Sequence, residues 1–338
     1  MIVRGRSFER GGRRGWSACL SSRLRGHAPR LQCVAEQPFP VVDVSAWEVV
    51  RDETSGAEEK AWLRDPDTGQ DWLFKAVTVK LGHVHGEDWA EKSAAHLADL
   101  IEIPCARVEL AGRGASRGSI SLDLCPRLFE LQEGRILLEG RPGYVHQPGR
   151  GGGHAGHSLE NILAVLDGAL PPPGWAGFPG ATAFDVFAGY VMFDAWIANT
   201  DRHDHNWAVL RPATEAGPLR LSGSYDHASC LGFNVPDGKR IWRLAEPDRI
   251  GQWCERGKAS CFEHAPGRPI PTLVDTAKKA LDLASPVARE HWLGKLVQVS
   301  DEAVRPVVIR NPGMSDPART FALKVLDVNR RRVLDGCT

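Results

Sequence analysis

The chain has 338 residues, with apolar and charged fractions of 42% and 25%, the proportions of an ordinary soluble globular protein rather than a disordered or membrane-embedded one. That length exceeds one comfortable hydrophobic core and predicts two lobes, while Lys plus Arg and Asp plus Glu balance at 42 each, which removes any global electrostatic case for nucleic-acid binding. No uninterrupted apolar run reaches the roughly 18–20 residues of a membrane span, and eight cysteines without a C-x-x-C pair argue against a zinc ribbon or a disulfide scaffold, so a reducing cytoplasmic setting is expected.

Residues 1–38 read as an Arg-rich tail: the first thirty carry eight arginines and one acidic residue, Glu9. A disordered basic tail or a transit-like segment has that composition. Residues 39–126 read as a β-rich amino lobe. Strands are predicted at Ala61–Arg64 and Trp72–Val77, joined by turn chemistry at Asp65-Pro66-Asp67-Thr68-Gly69. An amphipathic helix is predicted from Glu87 to Ile101, where Pro104 bars continuation. Two more strands are expected at Cys105–Leu110 and Ser119–Leu124, giving a small antiparallel sheet with one helix.

Residues 127–338 read as a mainly helical carboxyl lobe, so the fold class is α+β. Pro142–His157 is a Gly-rich loop; its Gly151, Gly153 and Gly156 satisfy G-x-G-x-x-G, but neither a preceding strand nor a βαβ unit supports a dinucleotide site. Helices are predicted at Ser158–Leu170, with Ser158 as N-cap, and at Ala181–Ala198, Thr272–Leu283, Ala288–Val299 and Pro317–Asp335. A short hairpin, Trp207–Leu210 with Leu219–Tyr225, falls between the second and third of these.

Chemistry concentrates just after the apolar run Phe184–Ala198, in Asp201-Arg202-His203-Asp204-His205-Asn206. Asp201 and Asn206 stand at the interval at which a protein-kinase catalytic loop places its base and its metal-binding asparagine. Phosphoryl transfer needs a carboxylate to orient or deprotonate the acceptor hydroxyl, and oxygen ligands to hold Mg2+ against the triphosphate. Asp201 fits the first role; Asn206 and Asp226, the latter in Tyr225-Asp226-His227-Ala228-Ser229, fit the second. Asp and Asn also build turns and caps. Asp201, His203, Asp204 and His205 offer a competing metal site, although zinc hydrolases usually draw ligands from separated segments or i, i+4 pairs. His203 is expected to brace the loop, and His205 to be exposed.

In the amino lobe, Ser55-Gly56-Ala57-Glu58-Glu59-Lys60 precedes the first predicted strand, where a small loop can bring backbone N–H groups to phosphate oxygens. Lys75 is a lone cation in the apolar run Trp72-Leu73-Phe74-Lys75-Ala76-Val77 and needs a partner, for which Glu91 on the following helix is the candidate.

Together these segments resemble the HipA-like serine/threonine kinases, best known as toxins of toxin–antitoxin pairs. Residues 55–60 resemble that family's S-G-A-Q-E-K nucleotide loop, Trp72–Val77 its lysine strand, Asn199–Asn206 its catalytic segment, and Tyr225–Ser229 its magnesium-binding Y-D-x-x-S. The resemblance implies a two-lobed protein-kinase-like fold and an ATP- and Mg2+-dependent kinase acting on a protein Ser/Thr hydroxyl. It further implies that Ser55, Gly56, Ala57 and Lys60 belong to the nucleotide loop, that Lys75 contacts the phosphates and pairs with Glu91, and that Asp201 is the catalytic base. Asn206 and Asp226 would bind Mg2+, and Ser55 would be a site of autophosphorylation.

Two departures stand out. Glu58 replaces an amide, which brings a negative charge near the triphosphate and raises the alternative of a pseudokinase acting as a nucleotide-binding interaction module. Only about fifty residues precede the loop, where the family's toxins carry an additional subdomain, so an antitoxin partner is not expected. D-R-H-x-x-N also resembles the catalytic loop of phosphoinositide kinases, which keeps a lipid or small-molecule acceptor as an alternative.

Overall fold

The computed structural model describes residues 37–52, 60–146, 154–213, 217–265 and 267–337, and Glu36–Thr338 forms one compact unit. Ser55, Gly56, Ala57 and Glu58 of the expected nucleotide loop lie outside the described residues, as do Gly151, Gly153 and the tail through residue 36.

Strands β1 (Val41–Asp43), β2 (Glu48–Asp52), β3 (Lys60–Arg64) and β4 (Asp71–Ala76) lead through a short ribbon of β5 (Val79–Lys80) and β6 (His83–Val84) into helix α1 (Glu87–Leu100). Strands β7 (Val108–Arg113) and β8 (Ser116–Leu122) follow, and the sheet order is β1-β7-β8-β4-β3-β2. The β3–β4 turn is set locally: the Asp65 carboxylate accepts from the Asp67 N–H (2.9 Å) and the Thr68 hydroxyl (2.7 Å), and Gly69 takes φ +68°, a conformation that favours glycine. Alternation along β3 and β4 buries Ala61, Leu63, Trp72 and Phe74 in a cluster with Val44, Ala111 and Ile120. By the two-residue period of a strand, Lys60 and Lys75 share the opposite face, and they stand directly across from each other.

Two expectations are corrected here. The sheet is mixed rather than antiparallel, because β1 adds to its edge parallel to β7. The strand expected at Cys105–Leu110 begins only at Val108, because Pro104–Ala106 pairs elsewhere: Ser224 N–H donates to Pro104 O (2.7 Å) and Ala106 N–H to Ser224 O (2.9 Å).

Beyond the sheet come β9 (Phe129–Glu133), α2 (Gly134–Leu138), α3 (Leu159–Val165), α4 (Ala183–Ile197), β10 (Ala208–Pro212) and β11 (Arg220–Leu221). Strands β11, β10 and β9 make a three-stranded antiparallel sheet, which extends the predicted hairpin by one strand. The chain closes with α5 (Asp237–Leu244), α6 (Pro247–Glu255), α7 (Leu273–Leu283), α8 (Pro286–Gln298), α9 (Asp301–Ile309) and α10 (Asp316–Cys337). None of the described helices is long and apolar enough to cross a membrane.

Helix α4 is the axle of this half. Thr182 and Asp185 cap it reciprocally (Asp185 N–H to Thr182 Oγ1, 3.1 Å; Thr182 N–H to Asp185 Oδ2, 2.9 Å), a capping box. All its residues are buried, as its apolar circumference requires. Gly189 lets Trp292 of α8 lie against its backbone, for a Cβ there would sit 2.3 Å from the indole. The α1 residues Trp89, Ala94 and Leu97 join this same large core, so α1 is anchored to the helical half although it follows the sheet strands in sequence.

Candidate active site

Helix α4 ends where Ala198 turns into the left-handed region (φ 57°), and the Asn199–Asn206 segment begins one residue later. The buried Asp194 carboxylate, one turn before that end, receives the Asn199 side-chain amide (2.8 Å) and both Nε (2.7 Å) and Nη2 (2.8 Å) of Arg202. The same guanidinium donates through Nη1 to the Asn206 carbonyl (2.6 Å) and through Nη2 to Ser224 Oγ (3.0 Å), with His227 Nε2 3.1 Å from Nη2. Arg202 thus pins helix, loop and the 224–227 segment from behind. A fully donating planar fork suits that task, and its burial is compensated by the bidentate carboxylate.

Asp201 receives Ser229 Oγ at 3.2 Å and lies 3.6 Å from the Cys261 thiol. The Asn206 amide donates to the Asp201 carbonyl (2.7 Å). The loop is closed further by His203 N–H to Asp201 O (2.9 Å) and Asn206 N–H to His203 O (2.9 Å). His203 accepts the His205 N–H on Nδ1 (3.2 Å), the bracing role expected of it. Burial keeps its pKa below the ordinary histidine value against the pull of Asp201 and Asp226. His205 is not simply exposed: its Nδ1 lies 2.7 Å from Glu133 Oε2.

Asp226 adopts the left-handed conformation (φ 57°), uncommon for a side-chain-bearing residue and tolerated best by Asp and Asn. Its Oδ1 lies 2.9 Å from Lys75 Nζ. Burial raises its pKa, but the charge and hydrogen bond of Lys75 outweigh that, with help from Lys60 and His203, and hold it down to about 2. Lys60 and Lys75 directly opposite on one face of a sheet repel each other.

Glu91 does not take the expected place beside Lys75, which Asp226 occupies. Helix α1 is held in the helical core behind the 224–227 segment, so Glu91 Oε1 instead accepts the His227 backbone N–H (2.9 Å) and lies 3.6 Å from His227 Nδ1. His227 Nε2 also lies 2.8 Å from Ser224 Oγ, so the ring is held between Glu91 on one side and Arg202 with Ser224 on the other. Glu91 Oε2 is buried with no hydrogen-bond partner among the described residues. Glu91 is therefore a positioning residue for the backbone next to Asp226. His227, Arg202 and Asp194 escape a reading based on catalytic types alone. The one available signal is Asp194, a carboxylate inside the mainly apolar run Phe184–Ala198.

No curated protein matches the chain. Among solved structures, the Helicobacter pylori proinflammatory kinase CtkA superposes with a TM-score of 0.63 at 16% identity, covering 88% of this chain and 97% of that one. A chain of the Shewanella oneidensis MR-1 toxin–antitoxin complex of HipA, HipB and operator DNA gives a TM-score of 0.46 at 12% identity, covering 88% of this chain and 70% of that one. The model of the HipA-like C-terminal domain matches residues 53–281, a span that holds Lys60, Lys75, Glu91, Asp201, Asn206 and Asp226. On that match, and with the kinase-like α+β fold it shares with CtkA, the chain belongs to the HipA-like family.

Proposed function

We propose that the protein is an ATP- and Mg2+-dependent kinase that transfers the γ-phosphoryl group to a Ser or Thr hydroxyl of a protein. The observation that carries this reading is the Lys75–Asp226 contact at 2.9 Å, which joins the cationic face of the sheet to the segment that follows Asp201 and Asn206 in the fold. Oxygen donors from Asn206 and Asp226 suit Mg2+, a hard cation, and a bound Mg2+ would supply charge neutralisation for the phosphates. Lys75 and Lys60 would bind phosphate oxygens, with the backbone of Ser55, Gly56 and Ala57 approaching from the loop before β3.

Asp201 is the base. As the acceptor oxygen bonds to the γ-phosphorus and the bond to ADP breaks, the hydroxyl proton passes to the Asp201 carboxylate. Ser229 donates to that carboxylate, which keeps it oriented. Ser55 is a candidate acceptor within the chain itself. Glu91 acts indirectly, by holding the His227 backbone and hence Asp226.

Calorimetry tests the nucleotide half of this proposal. Wild type binds ATP more tightly with Mg2+ than without it, Lys75→Ala weakens binding in both conditions, and Asp226→Ala removes the Mg2+ dependence. Binding that ignores both substitutions would overturn it.

A further inference from the structure

We propose that His146, Asp204 and His205 form a site for a transition-metal ion of the Zn2+ class, built onto the back of the catalytic segment and distinct from Asn206 and Asp226. The inference goes beyond the kinase assignment and does not depend on it. One donor atom from each residue lies within 4.8 Å of the other two. In a tetrahedral site with bonds of about 2.0–2.1 Å, donors stand about 3.3 Å apart. His146 Nδ1 is already 3.3 Å from Asp204 Oδ2, and His205 Nε2 is 3.9 Å from Asp204 Oδ1, so closure asks only for side-chain adjustment.

The surroundings are those of a supported site. His205 has its Nδ1 at 2.7 Å from Glu133 Oε2, the carboxylate–histidine arrangement that fixes a ligand's tautomer and leaves Nε2 to the metal. Asp204 is buried and held by the Tyr144 hydroxyl. Two imidazoles with one carboxylate favour Zn2+ over Mg2+, which prefers oxygen alone, and three protein ligands leave a fourth position open. Of the ligands that the hexapeptide offers, Asp204 and His205 belong to the cluster, and Asp201 and His203 do not. It then adds His146, which lies 58 residues from Asp204 in sequence. Occupancy would tie the 144–146 segment to the loop that carries Asp201 and Asn206.

The test is titration of the chelator-stripped full chain with ZnCl2, without nucleotide and in excess MgCl2, together with the visible spectrum of the Co2+-loaded protein. The expected result is one equivalent bound despite Mg2+, with a tetrahedral Co2+ spectrum. His146→Ala and His205→Ala should each weaken binding at least about 10-fold, and Glu133→Gln should weaken it by about 10-fold. Asp226→Ala should leave it unchanged. His146 is exposed, so its variant should melt as wild type does in the absence of metal. Absence of stoichiometric binding, binding indifferent to His146→Ala and His205→Ala, or equal loss in Asp226→Ala would each overturn the proposal.

Discussion

Lys75 on β4 and Asp226 after β11 meet at 2.9 Å, across 151 residues of sequence between positions 75 and 226. Neither residue is explained by its own element. A strand does not need a lysine on a face it shares with Lys60, and a loop does not need an aspartate in the left-handed region. The contact accounts for both, because each charge lowers the cost of the other. Residues held in sparsely populated backbone regions cluster at functional sites, and Asp226 fits that pattern.

Removing Lys75 should therefore release Asp226. In Lys75→Met the carboxyl pKa rises from about 2, since burial is then opposed only by Lys60 and His203. Because a depressed carboxyl pKa gives stability that is present above the unfolded value and lost as pH falls through the folded one, wild type should lose this contribution only in strong acid. Titration of the Asp226 carboxyl by NMR in wild type and Lys75→Met checks the shift. No movement would show that Lys75 does not set it.

Gly118 on β8 bears on the same lysine. A Cβ there would meet the Lys75 carbonyl oxygen at 2.1 Å, so Gly118→Val forces β4 and β8 apart at the residue that carries the ammonium. The expected outcome is an ATP affinity reduced about as much as in Lys75→Ala, along with a loss of about 1–3 kcal/mol in stability from overpacking. Chemical denaturation and calorimetry on the same variant separate the two effects.

Arg202 should matter for folding before it matters for chemistry. Arg202→Met leaves Asp194 buried without its bidentate partner, which costs about 3–5 kcal/mol. The double variant Asp194→Leu with Arg202→Met should recover part of that loss, because no charge is then stranded. Equilibrium unfolding of the two variants gives the answer, and equal stability in both would contradict the pairing.

His157 supplies a pH dependence. Its Nδ1 donates to the Cys261 carbonyl (2.5 Å) and its Nε2 accepts from Trp207 Nε1 (3.1 Å), so the neutral ring fits its site on both sides. Burial lowers its pKa to about 4. A depressed histidine pKa stabilises the fold fully above about 6.5, and that contribution is lost as pH falls from there toward 4. The loss should reach about 2 kcal/mol by pH 5. His157→Gln should flatten that slope in denaturation curves measured at pH 7 and pH 5. His96, also held near 4 by burial and by Lys92, adds to the same dependence.

Much of this molecule was legible in its sequence where a local signal and the tertiary structure agree. The Asp65–Gly69 turn, the cap at Ser158 and the apolar circumference of α4 each act within a few residues. Helix α9 was missed because Pro306 lies inside it. The parallel β1 was missed because three residues at a sheet edge carry no periodicity. Within the site, Asp201, Asn206, Lys75 and Asp226 could be selected by residue type and spacing, whereas the partner of Lys75 could not. Choosing between Glu91 and Asp226 depends on where the helical core holds α1, a relation between elements far apart in the chain. His146 beside Asp204 is hidden for the same reason.

The most direct measurement follows labelled phosphate from ATP, with Mg2+, to Ser and Thr of the protein itself and of a protein substrate panel, in wild type and in Asp201→Asn. The catalytic assignment predicts transfer by wild type, and a rate lower by about 10²–10³-fold in Asp201→Asn with ATP affinity retained. Equal labelling by the two proteins, or nucleotide binding without transfer by wild type to any acceptor, would contradict it.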